Sequence, residues 1–135
     1  MNIVLVDSSV LLDLVTNDPV WYEWSSAKLA SVSMESQLAI NPLIYAEVSS
    51  RFPTIEGLNA ALPEDQYRRE PLPFQAAFLA GKAFLKYKRR GGARTSPISD
   101  FYIGAHAAIS GFKILTRDPR RYRLYFPTVT LIAPE

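Results

Sequence analysis

The chain opens with an unbroken apolar run, Ile3-Val4-Leu5-Val6, closed by Asp7. A continuous rather than alternating run is what a strand covered on both faces requires, so it predicts a buried strand of a parallel sheet. Ser8-Ser9 offer N-cap oxygens to a short helix carrying Val10, Leu11, Leu12, Leu14 and Val15, which Asn17-Asp18-Pro19 would terminate. A second helix is predicted from Pro19, carrying Trp21, Trp24, Ala27, Leu29 and Ala30, followed by a short buried strand at Gln37-Leu38-Ala39-Ile40. Asn41-Pro42 makes a helix start, with Asn as the cap and Pro where its missing N–H does no harm, and that helix runs from Leu43 through Phe52 to Pro53. Thr54 to Leu62 predicts one more short helix, and Pro63 through Pro73 a polar, proline-punctuated connection.

A longer helix follows from about Phe74 to Arg90, ended by Gly91-Gly92, with Lys86 to Thr95 read as a basic, flexible loop around that end. Ser96-Pro97 repeats the cap-then-proline device and opens a helix through Ile98, Phe101, Ala105, Ala108 and Ile109 that stops at Gly111. Lys113-Ile114-Leu115-Thr116 is the next strand, Asp118-Pro119 caps a short helix over Arg120 to Tyr125, and Val129-Thr130-Leu131-Ile132 is the last strand. Strands alternating with helices predict an α/β fold with a central, mostly parallel sheet and helices on both faces, a three-layer α/β/α arrangement. Ligands in such sheets lie beyond the carboxyl ends of the strands, where Asp7 and Asp118 both fall.

Composition narrows the chemistry. With 135 residues, 48% hydrophobic and 21% charged, the chain reads as one domain, residues 1–135, able to fold on its own core. It has no cysteine, which removes disulfides, zinc-thiolate sites and thiol nucleophiles and leaves oxygen ligands and the single His106 for any metal. His106 falls opposite the apolar side of its helical wheel, so a surface position is expected for it. The net charge of +2 hides local basic clusters, Lys82, Lys86, Lys88, Arg89, Arg90 and Arg94 in one stretch and Arg117, Arg120, Arg121 and Arg123 in another. No apolar run approaches the ~20 residues that cross a bilayer, and the first residues lack the basic start and cleavage site of a signal peptide, which favours a cytoplasmic protein without membrane contact.

Among the acids, Asp7, Asp100 and Asp118 each have an ordinary explanation: a turn, a favourable charge in a first helical turn, a cap. Glu47 is harder to dismiss, because its wheel position lies between Leu43 and Ile44 among apolar residues, where a carboxylate is costly unless paired or coordinated. The plain alternative is an ion pair with Arg51 one turn along. Gly104, Ala107 and Ala108 leave little bulk along the helix of Asp100, so other elements can approach it.

Taken together, Val4-Leu5-Val6-Asp7-Ser8-Ser9-Val10-Leu11-Leu12-Asp13-Leu14, Asn41-Pro42-Leu43-Ile44-Tyr45-Ala46-Glu47-Val48, Ser99-Asp100-Phe101-Tyr102-Ile103-Gly104-Ala105-His106-Ala107 and Leu115-Thr116-Arg117-Asp118-Pro119-Arg120-Arg121-Tyr122 resemble the acidic motifs of the PIN-domain nucleases. The likeness is greatest to the VapC-type toxins of toxin–antitoxin pairs, and it spans essentially the whole chain. It implies a PIN-like fold and a metal-dependent endoribonuclease with Asp7, Glu47, Asp100 and Asp118 as its acidic set, Asp7 and Asp100 holding Mg²⁺ or Mn²⁺. The hydroxyl beside the first acid maps onto Ser8 or Ser9, and Thr116 belongs to the same pocket. One departure is that Pro119 and Arg120 follow the last Asp where many relatives have another acid or Asn, which leaves a second metal position short of a ligand. The implied partners are an RNA substrate, a small antitoxin covering the acidic groove and a second copy of the chain in a homodimer built from N-terminal helices, with Trp21, Tyr22 and Trp24 as candidate contacts.

An acidic pocket repels a polyanion, so RNA affinity must come from cations around it, with the Lys86 to Arg94 stretch, Lys88, Arg89 and Arg90 above all, and Arg117, Arg120 and Arg121 the candidates for flanking phosphates. The alternative for the Lys86–Arg90 cluster is a solvated helix end favoured by the dipole. Trp21, Trp24, Tyr87 and Tyr122 are candidates for base stacking, although aromatic residues more often serve the core. A phosphatase would want a second Asp where Ser9 stands, a response regulator wants paired acids that Ile3 to Asp7 lack, and a P-loop glycine-lysine motif is absent. The stronger rival is a catalytically inactive module of the same fold that binds RNA or protein.

Overall fold

A computed structural model describes residues 2–91 and 98–135, with nothing to state about the side chain of Ile98. In chain order the elements are β1 (Ile3–Val6), α1 (Ser8–Val15), α2 (Tyr22–Glu35), β2 (Gln37–Ile40), α3 (Pro42–Ser49), α4 (Ile55–Ala61) and β3 (Arg68–Arg69). Then come α5 (Phe74–Arg89), α6 (Ile98–Ser110), β4 (Lys113–Leu115), α7 (Arg120–Tyr125) and β5 (Leu131–Ile132). The strands form one sheet in the order β3-β2-β1-β4-β5, and each of its pairings is parallel. Helices cover both faces, giving the three-layer α/β/α architecture.

The apolar opening run accounts for this order. Val4, Leu5 and Val6 are fully buried, and their strand sits in the middle with β2 on one side and β4 on the other. The direction in which successive strands are added therefore reverses between β1 and β4, and at such a switch point the carboxyl ends of the two strands open a crevice. Asp7 follows β1 and Thr116 follows β4. The amide of Asp7 donates to the Leu115 carbonyl at 2.9 Å, so the first acid is tied to the neighbouring strand end by backbone geometry.

Several helix ends form as their sequence predicts. Asn41 Oδ1 accepts from the Ile44 amide at 3.0 Å with Pro42 opening α3, and Thr54 Oγ1 accepts from the Gly57 amide at 3.1 Å at the start of α4. Gly91 and Gly111 take left-handed φ values of +84° and +71° just past α5 and α6, where glycine alone is unstrained.

Other expectations need correction. Ser8 and Ser9 do not cap α1: the cap position belongs to Asp7, which makes no side-chain capping bond, and both serines lie inside the helix. Asp118 does not cap α7 either, because Pro119 occupies that position. The connection from Pro63 to Pro73 contains β3, whose Arg68 and Arg69 are exposed edge residues without the apolar pattern of a strand. The last strand is shorter than expected, and Lys86 through Arg89 belong to α5 rather than to a loop. The Ser96-Pro97 helix start lies outside the described residues.

His106 is the largest reversal: it is 1% exposed, its Nδ1 accepts from Asn41 Nδ2 at 3.1 Å, and its ring lies against Phe112. Because Asn41 Oδ1 is occupied by the Ile44 amide, its amide nitrogen faces the imidazole, which then carries its proton on Nε2. Burial holds the imidazole below its ordinary pKa, so this histidine is a neutral strut between α3 and α6. No helix among the described residues is long and apolar enough to cross a membrane.

Gly104 shows how closely α6 is approached: a Cβ at this position would overlap the ring of Phe126, which is itself buried. Gly104→Ala is therefore expected to lower the unfolding free energy by roughly 1–3 kcal/mol, the usual cost of overpacking. Chemical denaturation would measure it, and Gly104→Ala combined with Phe126→Leu should recover part of the loss; an unchanged midpoint in the single variant would contradict this packing.

Candidate active site

The crevice between β1 and β4 is filled by carboxylates and the hydroxyls that hold them. Asp7, 4% exposed, is the innermost: its Oδ2 accepts from Ser9 Oγ at 2.8 Å and Thr116 Oγ1 at 2.7 Å, and its Oδ1 from the Tyr122 hydroxyl at 3.2 Å. These donors come from α1, the end of β4 and α7, so the carboxylate is fixed from three directions. Burial raises its pKa, the hydroxyl bonds to Thr116 and Ser9 oppose that rise, and the nearby charge of Glu47 adds to it. Tyr122 is buried beside this negative charge, and both effects push its phenol well above the ordinary range. It therefore remains a hydrogen-bond donor.

Glu47 reaches the same site from α3. Ser8 Oγ donates to its Oε1 and Ser99 Oγ to its Oε2, each at 2.8 Å, so one carboxylate is gripped by α1 and α6 together. Its charge acts on both Asp7 and Asp100. The expected alternative, an ion pair with Arg51, is not formed among the described residues.

Asp100, in the first turn of α6, has no hydroxyl donors of this kind among the described residues. Burial and the charges of Asp7 and Glu47 raise its carboxyl to about 7, against the opposing effect of Arg121, with Asp118 adding to the rise. Arg121 Nη1 lies 3.4 Å from Asp100 Oδ2, a long contact for an ion pair. Asp118 is at the rim, half exposed; its amide donates to Thr116 Oγ1 at 3.0 Å, and its carboxylate faces Arg120 at 3.5 Å. All four sequence-predicted acids thus act on one centre.

The basic candidates are placed less uniformly. Lys88, Arg89 and Arg90 are exposed at the C-terminal end of α5, with Lys88 over the Phe84 ring and Arg90 over the Tyr125 ring. Arg117 is turned the other way: its Nε contacts both oxygens of Asp13 at 3.0 and 3.1 Å, and its guanidinium lies over Trp21. Asp13 is 2% exposed and also accepts from buried Ser25 at 2.7 Å, so this cluster ties the β4–α7 turn to α1 and α2. Ser99 was not among the sequence-derived site residues; Tyr122, expected as a base-stacking candidate, is instead buried and donates to Asp7, and Arg121, expected against a flanking phosphate, lies against Asp100. Tyr122 has no apolar periodicity to distinguish it in so short a helix, but Ser99 directly precedes Asp100, a position from which it can share the helix start with that acid.

The donor set is entirely oxygen, which suits a hard divalent cation. No group of three or more acidic or histidine side chains among the described residues is arranged to hold a metal ion as it stands. Mg²⁺ does not require one, since it binds through one or two carboxylates and retains waters. Burial first, and then the charges of Asp7 and Glu47, keep Asp100 raised despite Arg121, and the all-oxygen donors of Asp7 and Asp100 are of the kind a hard cation takes.

The PIN-domain family profile matches residues 4–127. No individual curated protein matches the chain by sequence. Among solved structures, the chain is similar to VapBC2 from Rickettsia felis bound to a promoter DNA fragment, at 14% identity and a TM-score of 0.72, covering 98% of this chain and 99% of that one. It is also similar to a toxin–antitoxin complex from Klebsiella pneumoniae, at 18% identity and a TM-score of 0.69, covering 98% of each chain. A third is the sarcin–ricin loop cleaving toxin VapC20 from Mycobacterium tuberculosis, at 16% identity and a TM-score of 0.64, covering 91% of this chain and 95% of that one.

The raised carboxyl of Asp100 makes stability depend on pH in a defined direction. An Asp in the unfolded chain ionises near 4, whereas Asp100 in the metal-free fold ionises at about 7. Its neutral form favours the fold fully below pH ~4, and that contribution is lost as pH rises toward 7. In chelator-treated protein, unfolding free energy should therefore fall from pH 5 to pH 8 more steeply in wild type than in Asp100→Asn. Parallel pH profiles for the two would refute the assigned ionisation.

Proposed function

The chain belongs to the PIN-domain family, and from that premise we propose that it is a metal-dependent endoribonuclease hydrolysing RNA phosphodiester bonds, the toxin of a type II toxin–antitoxin pair. The observation that carries this reading is the convergence of Asp7, Glu47, Asp100 and Asp118 on one centre, with Asp100 raised to about 7 by burial and then by the charges of Asp7 and Glu47. Asp7 and Asp100 would hold Mg²⁺, or Mn²⁺, between them. When bound, such an ion stabilises charge on the phosphoryl oxygens and acidifies water at neutral pH.

The remaining residues divide the work by position. Ser9, Thr116 and Tyr122 fix both oxygens of Asp7, and Ser8 and Ser99 fix those of Glu47, so these hydroxyls position acids rather than RNA. Glu47, held at both oxygens but half-buried, is suited to orient a water or accept its proton. Asp118 lies at the rim where substrate enters. Lys88, Arg89 and Arg90 serve flanking phosphates from the end of α5, and Arg117, engaged with Asp13 through Nε, has its remaining nitrogens for the same purpose.

A protein partner follows from the same electrostatics, since a cationic side chain set against Asp100 would compete with a divalent ion. We assign that role to a cognate antitoxin, a kind of partner supported by the likeness in fold to a toxin–antitoxin complex from Klebsiella pneumoniae. A homodimer is part of the proposal, as is a cytoplasmic location. Trp21 and Trp24 pack edge to face and Trp21 also carries Arg117, which leaves Tyr22 the more exposed candidate contact on this segment.

The contact between Arg121 and Asp100 favours one alternative, a module of the same fold that binds RNA or protein without cutting it, with the arginine in the cation's place. The two readings separate in one assay. With Mg²⁺, cleavage of single-stranded RNA should fall by roughly 10²-fold or more in Asp7→Asn and Asp100→Asn while circular dichroism is unchanged, and a chelator should abolish it. RNA bound but left intact by wild type with either Mg²⁺ or Mn²⁺ would establish the binding module instead.

A further inference from the structure

Beside the acids, a cleft of about 280 Å³ opens between α5, α6 and α7, walled by the aromatic rings of Tyr87 and Tyr125, by Leu124, and by two acids and two arginines, Asp100 and Asp118 against Arg120 and Arg121. Its aromatic wall is rigid. Tyr87 and Tyr125 both pack against the fully buried ring of Phe101, with centroids 5.4 and 5.3 Å away, and lie 6.3 Å from each other. The guanidinium of Arg121 lies over Tyr87 at 5.5 Å, and that of Arg90 over Tyr125 at 5.6 Å. Leu124, 56% exposed, adds an apolar surface without a packing role of its own. Arg121 Nε is buried without a hydrogen-bond partner among the described residues.

These walls select their ligand by exclusion. With two acids and two arginines in the wall, a free phosphate group would meet Asp100 and Asp118 along with Arg120 and Arg121, and a cationic peptide side chain would meet both arginines, so neither ion finds a wall of one opposite sign. A neutral, planar group carrying both N–H donors and carbonyl acceptors meets no like charge, stacks on aromatic and guanidinium planes, and can donate to a carboxylate while accepting from an arginine. A nucleobase is that group. We propose that this cleft is a nucleobase subsite, in which the base adjoining the scissile phosphate stacks on the Tyr87–Arg121 platform and donates N–H groups to Asp118.

The subsite rests on the nuclease reading for its place along the RNA but not for its affinity. Because Asp100 belongs both to the acidic centre and to the cleft wall, a base held here lies one nucleotide from the phosphate undergoing attack. A rigid stacking platform contributes a factor of roughly 10 to 100 in binding. Specificity would arise from Asp118, which only accepts hydrogen bonds when ionised and so sorts bases by where their N–H groups lie.

Two measurements test this together. In metal-free protein, titration with nucleosides should shift the ring resonances of Tyr87 and Tyr125, and Leu124→Glu, at an exposed position, should weaken that binding by roughly tenfold or more. In the cleavage assay with Mg²⁺, an abasic ribose on one side of the cut should lower kcat/KM by roughly 10- to 100-fold in wild type and by much less in Leu124→Glu. If RNA is cut but both flanking abasic positions are tolerated and the tyrosine resonances stay still, the subsite is overturned. If no RNA is cut, the nuclease reading fails and the titration alone decides the cleft: shifted rings retain a nucleobase site and unshifted rings remove it.

Discussion

Repulsion among like charges at one edge of the sheet is the constraint around which this molecule is organised. Four carboxylates from the ends of β1 and β4 and from the helices α3 and α6 act on one another. Two unit charges ~4 Å apart at an effective dielectric near 20 interact by roughly 4 kcal/mol, a large fraction of the stability of a domain this size. The fold tolerates the arrangement because each acid is treated differently.

Asp7, the most buried, receives three hydroxyl donors; Glu47 receives two; Asp100 receives a long contact with Arg121. Hydrogen bonds to a carboxylate favour its charged form, so the Thr116 and Ser9 hydroxyls oppose the rise that burial imposes on Asp7, while at Asp100 burial and the fields of Asp7 and Glu47 are opposed only by Arg121 among the described residues. The high pKa of Tyr122 completes this division, since a phenol that ionised would turn a donor into a fifth negative charge. The centre is thus poised by its weakest-supported member, and a cation arriving there acts first on Asp100.

Much of this was legible because it follows from local rules. A both-faces-buried first strand, two strand-end acids and a Glu on an apolar helical face pointed to the sheet edge, Asp7, Asp118 and Glu47, whereas Asp100 joined them only through the resemblance of its motif to the PIN-domain nucleases. The failures share one cause, that tertiary contact overrode local preference. Ser8 and Ser9 have the right chemistry for caps, but Glu47 and Asp7 offer stronger acceptors than a backbone amide offers as a donor. His106 looked solvent-facing on a wheel because the residues that bury it, Asn41 and Phe112, come from other parts of the chain. The strand β3 has two exposed arginines and no apolar signal, and it exists because β2 presents an open edge to it.

The turn between β4 and α7 carries two arginines with opposite fates, and the contrast assigns a direction to the site. Arg117 is locked by a nearly inaccessible Asp13 at 3.0 Å, with Ser25 and Trp21 completing its surroundings, so that side of the turn is fixed to α1 and α2. Arg121, four residues on, holds Asp100 at 3.4 Å, with its buried Nε unpaired among the described residues. Breaking the first set exposes a desolvated carboxylate to an apolar interior, whereas releasing the second gives up a weak contact. The arginine with the weaker carboxylate contact therefore lies on the α7 side, beside the aromatic cleft, while the arginine on the α1–α2 side is held in place.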